Sequence, residues 1–427
     1  MVGVVSAVSI IAYIISLIKF NKEYLEQQVV FLIIYLIGLT IVGKMDILLP
    51  MYFVVSVLPF LRCIRRITIF TAVISLYFGL YLLYGIIYQN ITGTFVTFIA
   101  KMWQFIIFFI VFDSDIKLIK ENIKKIIWMA VITETILGLY LLATSTNIDA
   151  SGLARLVSNS QPITGNISTV VLPISVYYYL INKENSKQTG WLLAVNMVML
   201  IWIVLSGTRG YTLEFVSTMI LVFYDYFTNR YVDKVSQTNR KILLSLLLLI
   251  ITMIIIVTPR IFEGIESILR LRSSIGIRSY ENAVIMEFIS NAPLITILFG
   301  IGLGGQGGSY SVMNVALYRQ FSFGMWDRNH YLSDSGALFH NLYANILMCL
   351  GIIGSVLIVL MNMSIWKRIT QSCGSLVQAR RIMHLFQVSF LFMNYYRWSA
   401  DCGISEMIIL AIILKILQNE NKGEYNE

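Results

Sequence analysis

Between Pro259 and Phe339 the chain carries six arginines, Arg260, Arg270, Arg272, Arg278, Arg319 and Arg328, and no lysine. Arginine presents a planar, permanently charged fork that grips phosphate through paired hydrogen bonds and stays charged where water is scarce. A segment that uses arginine alone is suited to holding a diphosphate. The plain alternative is rim pairing with Glu263, Glu266, Glu281 and Glu287. Two other groupings bear on the same chemistry. Ser206-Gly207-Thr208-Arg209-Gly210 sets two hydroxyls and a guanidinium in a stretch whose glycines permit a tight turn, although a snorkelling arginine in a helical hairpin has the same look. His340-Asn341 places an imidazole that can take or give a proton near neutral pH, or simply cap or pack a helix, beside an amide able to orient a ring or a hydroxyl.

The stretch between these groups has its own pattern. After Arg278, Tyr280, Ala283, Val284 and Phe288 recur at helical spacing. They predict an amphipathic helix lying on a membrane surface or over a helical bundle. Asn291-Ala292-Pro293-Leu294 ends it. A glycine-rich run, Phe299 to Gly308, follows and includes Gly302 and Gly304. It lacks the Gly-Lys-Ser/Thr close of a nucleotide-binding loop. It is either a flexible connector or a backbone that must come close to a sugar or lipid headgroup.

The elements that position these groups are greasy. The 427 residues are 57% hydrophobic and 13% charged, with a mean hydropathy of +0.76, where a soluble domain carries about 25% charged residues. Apolar runs of membrane-crossing length are expected over 2–18, 28–43, 47–61, 67–88, 91–112, 126–146, 165–181, 190–207, 210–227, 242–258, 341–361, 383–399 and 404–418. The expected fold is all-α: a polytopic membrane protein of about 12–13 transmembrane helices with one long extracytoplasmic loop. Residues 1–427 form a single integral membrane domain, and 259–339 form the loop that carries the active-site lid. Met1 to Ile18 has neither a basic start nor a small-residue cleavage site and reads as a retained span. The net charge of +9 sits in short loops between spans, which argues against nucleic acid as a partner. Neither the four cysteines nor the three histidines have disulfide or metal-ligand spacing.

Sidedness follows from the basic residues. Alternate loops and the C-terminus hold 21 of the 32, including Lys117 to Lys125 and Lys367 to Arg381. The positive-inside rule puts these in the cytoplasm, the long loop outside and the C-terminus inside. Lys44, Arg155, Arg209 and the six loop arginines then face out. Asp113-Ser114-Asp115 has the acidic pattern of a metal site but falls on the inner side, as a helix boundary. Within the spans, Lys101, Glu134, Glu214, Asp225, Arg397 and Glu406 are expected to pair between helices or to snorkel. Paired, interrupted half-repeats, the mark of many transporters, are not evident.

Taken together the groupings resemble the O-antigen ligase and O-antigen polymerase family of bacterial membrane glycosyltransferases. The resemblance covers roughly 190–361. It rests on Ser206 to Gly210, Arg278, the run from Pro293 to Gly304, His340-Asn341 and Gly351 to Gly354, in that order. Thr208 stands where the family often has serine, and ITILF lengthens the run after Leu294. The resemblance implies an enzyme of the bacterial cytoplasmic membrane. It would act on the outer face on an undecaprenyl-diphosphate-linked glycan donor and a glycan acceptor, with no cofactor and no metal. Membrane lipid, a chain-length regulator and a flippase are the further partners implied. Arg209, Arg278 and His340 would be catalytic. Ser206, Thr208, Arg270, Arg272, Asn341, Gly302 and Gly304 would bind substrate. His340 would deprotonate or orient the acceptor hydroxyl, or balance the leaving group. Polymerisation of repeat units is the expected reaction; transfer of finished glycan to a lipid or protein, or translocation of the lipid-linked repeat, are the alternatives.

Overall fold

The computed structural model describes residues 67–89, 102–114, 280–304, 341–387 and 401–423, together with single helical positions and a short strand pair between them. The helices are α1 (Ile69–Tyr88), α2 (Trp103–Asp113), α3 (residues 280–291), α4 (Leu294–Phe299), α5 (Leu342–Ser372), α6 (Leu376–Phe386) and α7 (Asp401–Gly423). The departure from an all-α chain, among the described residues, is a two-residue antiparallel pair, Val157–Ser158 with Gln161–Pro162. It falls between the spans expected at 126–146 and 165–181.

Two of these helices, α1 and α5, are long and apolar enough to cross a membrane. Thr68 caps α1, its hydroxyl accepting from the Thr71 N–H at 3.2 Å. Along α1 the side chains of Ile69, Val73, Leu76, Leu80, Leu83 and Ile87 are all exposed. An apolar line of that length is covered by lipid or by protein, not by water. α2 is the opposite case. Trp103 to Val111 are buried without interruption, so this helix is apolar all round and lies in the core. α1 and α7 pack on it, and every described side chain of α7 from Met407 to Leu417 is buried.

α5 departs from its expected span. The sequence predicts a crossing over 341–361 and a basic loop beyond it, but the helix continues to Ser372 and carries Lys367 and Arg368 within it. The reason is Asp113. Arg368 Nη1 donates to the Asp113 carboxylate at 2.6 Å, so the charge that should end the buried helix is neutralised there. Arg380 and Arg381, also expected in a loop, lie on α6, which Ser375 caps. The Asn421 side chain donates to the Ser372 carbonyl at 2.8 Å. The start of α1 and the ends of α2, α5 and α7 therefore gather at one end of the bundle.

Candidate active site

The opposite end holds the groups of interest. α5 begins at Asn341, whose side chain accepts from the Tyr343 N–H at 2.9 Å and satisfies one of the donors left open at a helix start. A second is satisfied from a distance. The carboxylate of Glu281 accepts the backbone N–H of Asn341 at 3.2 Å. Glu281 is wholly buried, as are Tyr280, Val284 and Phe288 on the same face of α3. The expected amphipathic helix is present, and its apolar face is covered by the protein itself. The alternative of rim pairing does not hold for Glu281: a carboxylate facing a helix N-terminus is favoured by the partial positive charge there, which offsets its burial.

Pro293 ends α3 and starts α4, a turn and a half formed by LITILF. The extra residues that lengthen the Pro-Leu to glycine run are thus a short helix. Gly300, Gly302 and Gly304 all have positive φ. Gly300 is the C-cap of α4, and its N–H donates to the Thr296 carbonyl at 2.7 Å. The chain then lies against α5 at a break in that helix. Gly351 has φ 66° and ψ −166°, which interrupts the α5 ladder and frees carbonyls before it. The Ile301 N–H fills the Met348 carbonyl at 2.8 Å, and the Gly302 N–H fills that of Cys349 at 3.0 Å. A Cβ at Gly300 would strike the Cys349 backbone, and one at Gly351 would strike the Leu298 carbonyl. Positive φ and backbone contact together require glycine at both positions.

Three carbonyls of the run are also satisfied. The Tyr81 hydroxyl donates to the Phe299 carbonyl at 2.6 Å, the Gln89 amide to that of Ile301 at 3.2 Å and the Thr94 hydroxyl to that of Leu303 at 3.0 Å. Tyr77, Tyr81, Tyr84 and Tyr88 occupy one side of α1, with ring centroids 4.8 Å apart for the first pair and 5.0 Å for the last. Gly302 lies over this ladder, leaving 2.6 Å between the Tyr84 ring and the place a Cβ would take. The backbone that sequence patterning left as either connector or substrate approach comes close to the chain's own helices.

Of the residues assigned to chemistry from sequence, Asn341, Gly302 and Gly304 are described. Arg209, Arg278, His340, Ser206, Thr208, Arg270 and Arg272 lie outside the described residues. Asn341 is a helix cap, Gly302 completes the broken α5, and Gly304 ends the run with φ 80°. Sequence reasoning missed Glu281, Tyr81, Gln89, Thr94 and the break at Gly351. The i, i+4, i+7 and i+11 spacing of the four tyrosines was a readable signal of one helix face; the carbonyl that Tyr81 serves was not readable. No protein-family model matches this chain, and no curated protein does.

Proposed function

We propose that the chain is a glycosyltransferase of the bacterial cytoplasmic membrane that polymerises undecaprenyl-diphosphate-linked oligosaccharide repeats into a surface polysaccharide: capsule, exopolysaccharide or O-antigen. The observation that carries this reading is the Glu281–Asn341 hydrogen bond. It ties the helix that begins just after Arg278 to the residue that follows His340. In sequence the bonded residues lie three positions after Arg278 and one after His340, which carry the guanidinium and imidazole the reaction needs. Arg278 and Arg209 hold the diphosphate as it leaves, in place of a metal ion. His340 acts on the acceptor hydroxyl. The meeting of the α1 start with the α2, α5 and α7 ends supports the assignment of that end to the cytoplasm and of 259–339 to the outside, since Lys367, Arg368 and Arg380 cluster near it.

Ligase-type transfer of finished glycan uses the same groups and remains the nearest alternative. A flippase is the rival of another class, and the interruption of α5 is a feature such proteins share. Here, however, the carbonyls of Met348 and Cys349 each already accept an N–H of the chain's own backbone, which makes them weaker candidates for ligands to a transported species. Incubating the purified protein with a single lipid-linked repeat discriminates among these. Chain lengthening is the expected result. Movement across a vesicle membrane without bond formation would replace the proposal with the flippase, and transfer only to a non-glycan acceptor would replace it with the ligase.

A further inference from the structure

α4 is apolar, uncharged and open. None of its six residues is buried; Leu294 is 71% exposed, Ile295 68% and Phe299 48%. Met286 and Ile289 of α3 are exposed nearby in sequence. Yet this helix belongs to the long polar segment that the sequence places in water.

Its depth argues otherwise. The 20 residues of α1 rise about 30 Å, the thickness of a hydrocarbon core. Tyr81 lies eight residues before the Gln89 end, about 12 Å inside it. The Tyr81 hydroxyl holds the Phe299 carbonyl, and Gly302 sits over Tyr84. The C-terminal end of α4 is therefore level with the outer turns of α1, where Leu80, Leu83 and Ile87 are exposed. At that level α4 exposes the apolar side chain of Phe299.

The hydrogen bonding points the same way. Backbone in water can leave its carbonyls to solvent, whereas backbone in lipid must find each a partner inside the protein. The carbonyls of Phe299, Ile301 and Leu303 each receive a side-chain donor, and the N–H groups of Gly300, Ile301 and Gly302 are all used.

We infer that Leu294–Leu303 is a re-entrant element of the membrane, with the phospholipid of the outer leaflet covering Leu294, Ile295 and Phe299. The inference rests on α1 and α5 crossing a bilayer and is independent of the sugar chemistry. It makes the segment between Arg278 and His340 a loop moored in lipid.

A spin label tests this. Ile295→Cys is labelled in a full-length chain in which Cys63, Cys349, Cys373 and Cys402 are alanine, reconstituted in vesicles of phosphatidylethanolamine and phosphatidylglycerol. Relaxation by oxygen is compared with relaxation by a water-soluble nickel chelate, and Leu76→Cys serves as the mid-helix reference. Oxygen should dominate at both sites, with Ile295 about 5–10 Å below the phosphates and Leu76 deeper. Nickel dominating at Ile295 while oxygen dominates at Leu76 would overturn the inference and leave the spanning helices intact. Weak relaxation by both reagents at Ile295 would also overturn it, because protein, such as a second copy of the chain, would then cover α4. Nickel dominating at Leu76 would overturn the membrane reading itself. Leu294→Cys with the same readout guards against a misfolded variant at Ile295.

Discussion

The guanidinium of Arg368 meets the carboxylate of Asp113 at 2.6 Å and lies over the rings of Phe109 and Phe112, with centroids 4.8 and 4.6 Å away. Asp113 also accepts from the hydroxyls of Thr71 at 2.7 Å and Thr68 at 3.3 Å. One ion pair thus fastens α1, α2 and α5 at a single level. Both side chains are at most 10% exposed, so the pair is buried and screening by solvent is slight.

Asp113→Ala leaves the arginine buried without its counter-charge and should cost about 3–5 kcal/mol. Thermal unfolding followed by tryptophan fluorescence in detergent measures the loss. The double variant Asp113→Leu with Arg368→Met should be more stable than Asp113→Ala alone, because it leaves no charge behind. Equal losses in the two would show that the pair contributes only shape.

Gly351→Ala and Gly300→Ala each put a methyl group onto backbone at positive φ. Left-handed strain of about 1–3 kcal/mol is expected at each, with a similar contribution from overpacking. Gly79→Ala makes the contrast, since its added Cβ meets nothing within 4 Å, and inside a helix it should gain about 0.5–1 kcal/mol. Melting temperatures of the three variants should therefore split, with two down and one up.

The sequence made α1 legible because its apolar run is bounded by Arg65-Arg66 and Gln89; the expected span of 67–88 and the helix Ile69–Tyr88 nearly coincide. The start of α5 at Asn341 was equally plain, because an apolar run resumes there. Its end was not, because Lys367 and Arg368 read as loop until Asp113, 255 residues away, supplies a counter-charge. α4 was hidden for another reason: six residues are too few to establish a period. The break at Gly351 could not be read at all. A glycine in an apolar run is compatible with a straight helix, and only the N–H groups at 301 and 302 make an interruption tolerable. The burial of Glu281 was not readable either, because it depends on a donor 60 positions later.

Glu281→Ala should release the joint between α3 and α5 and reduce chain lengthening by at least about tenfold, if the productive geometry depends on it. Glu281→Gln, which keeps an acceptor, should retain most activity. His340→Ala should cut turnover by roughly 100- to 10,000-fold with donor binding preserved, as for loss of a general base. Full activity in His340→Gln would reduce His340 to a hydrogen-bonding role. Arg278→Lys should lose most activity despite keeping its charge, because a point charge does not reproduce a bidentate fork. Lengthening assays at equal membrane abundance read out all five.

Cys373 caps the end of α5 and forms no disulfide. Burial pushes its thiol up to about 12, since desolvation disfavours the thiolate. In a chain retaining Cys373 as its sole cysteine, maleimide labelling at pH 8 should be far slower than for the same chain unfolded. It should accelerate continuously as the pH is raised toward 10. Labelling at the unfolded rate would show the site to be open.

The interruption of α5 also couples two parts of the fold. Met348 and Cys349 carbonyls left bare in lipid would each cost several kcal/mol, and the groups that fill them come from the run seated beside Tyr81 and Tyr84. Seating the run and interrupting the helix therefore stabilise one another. The part of α5 before the break, with Asn341 at its start, is held by that run as well as by Glu281.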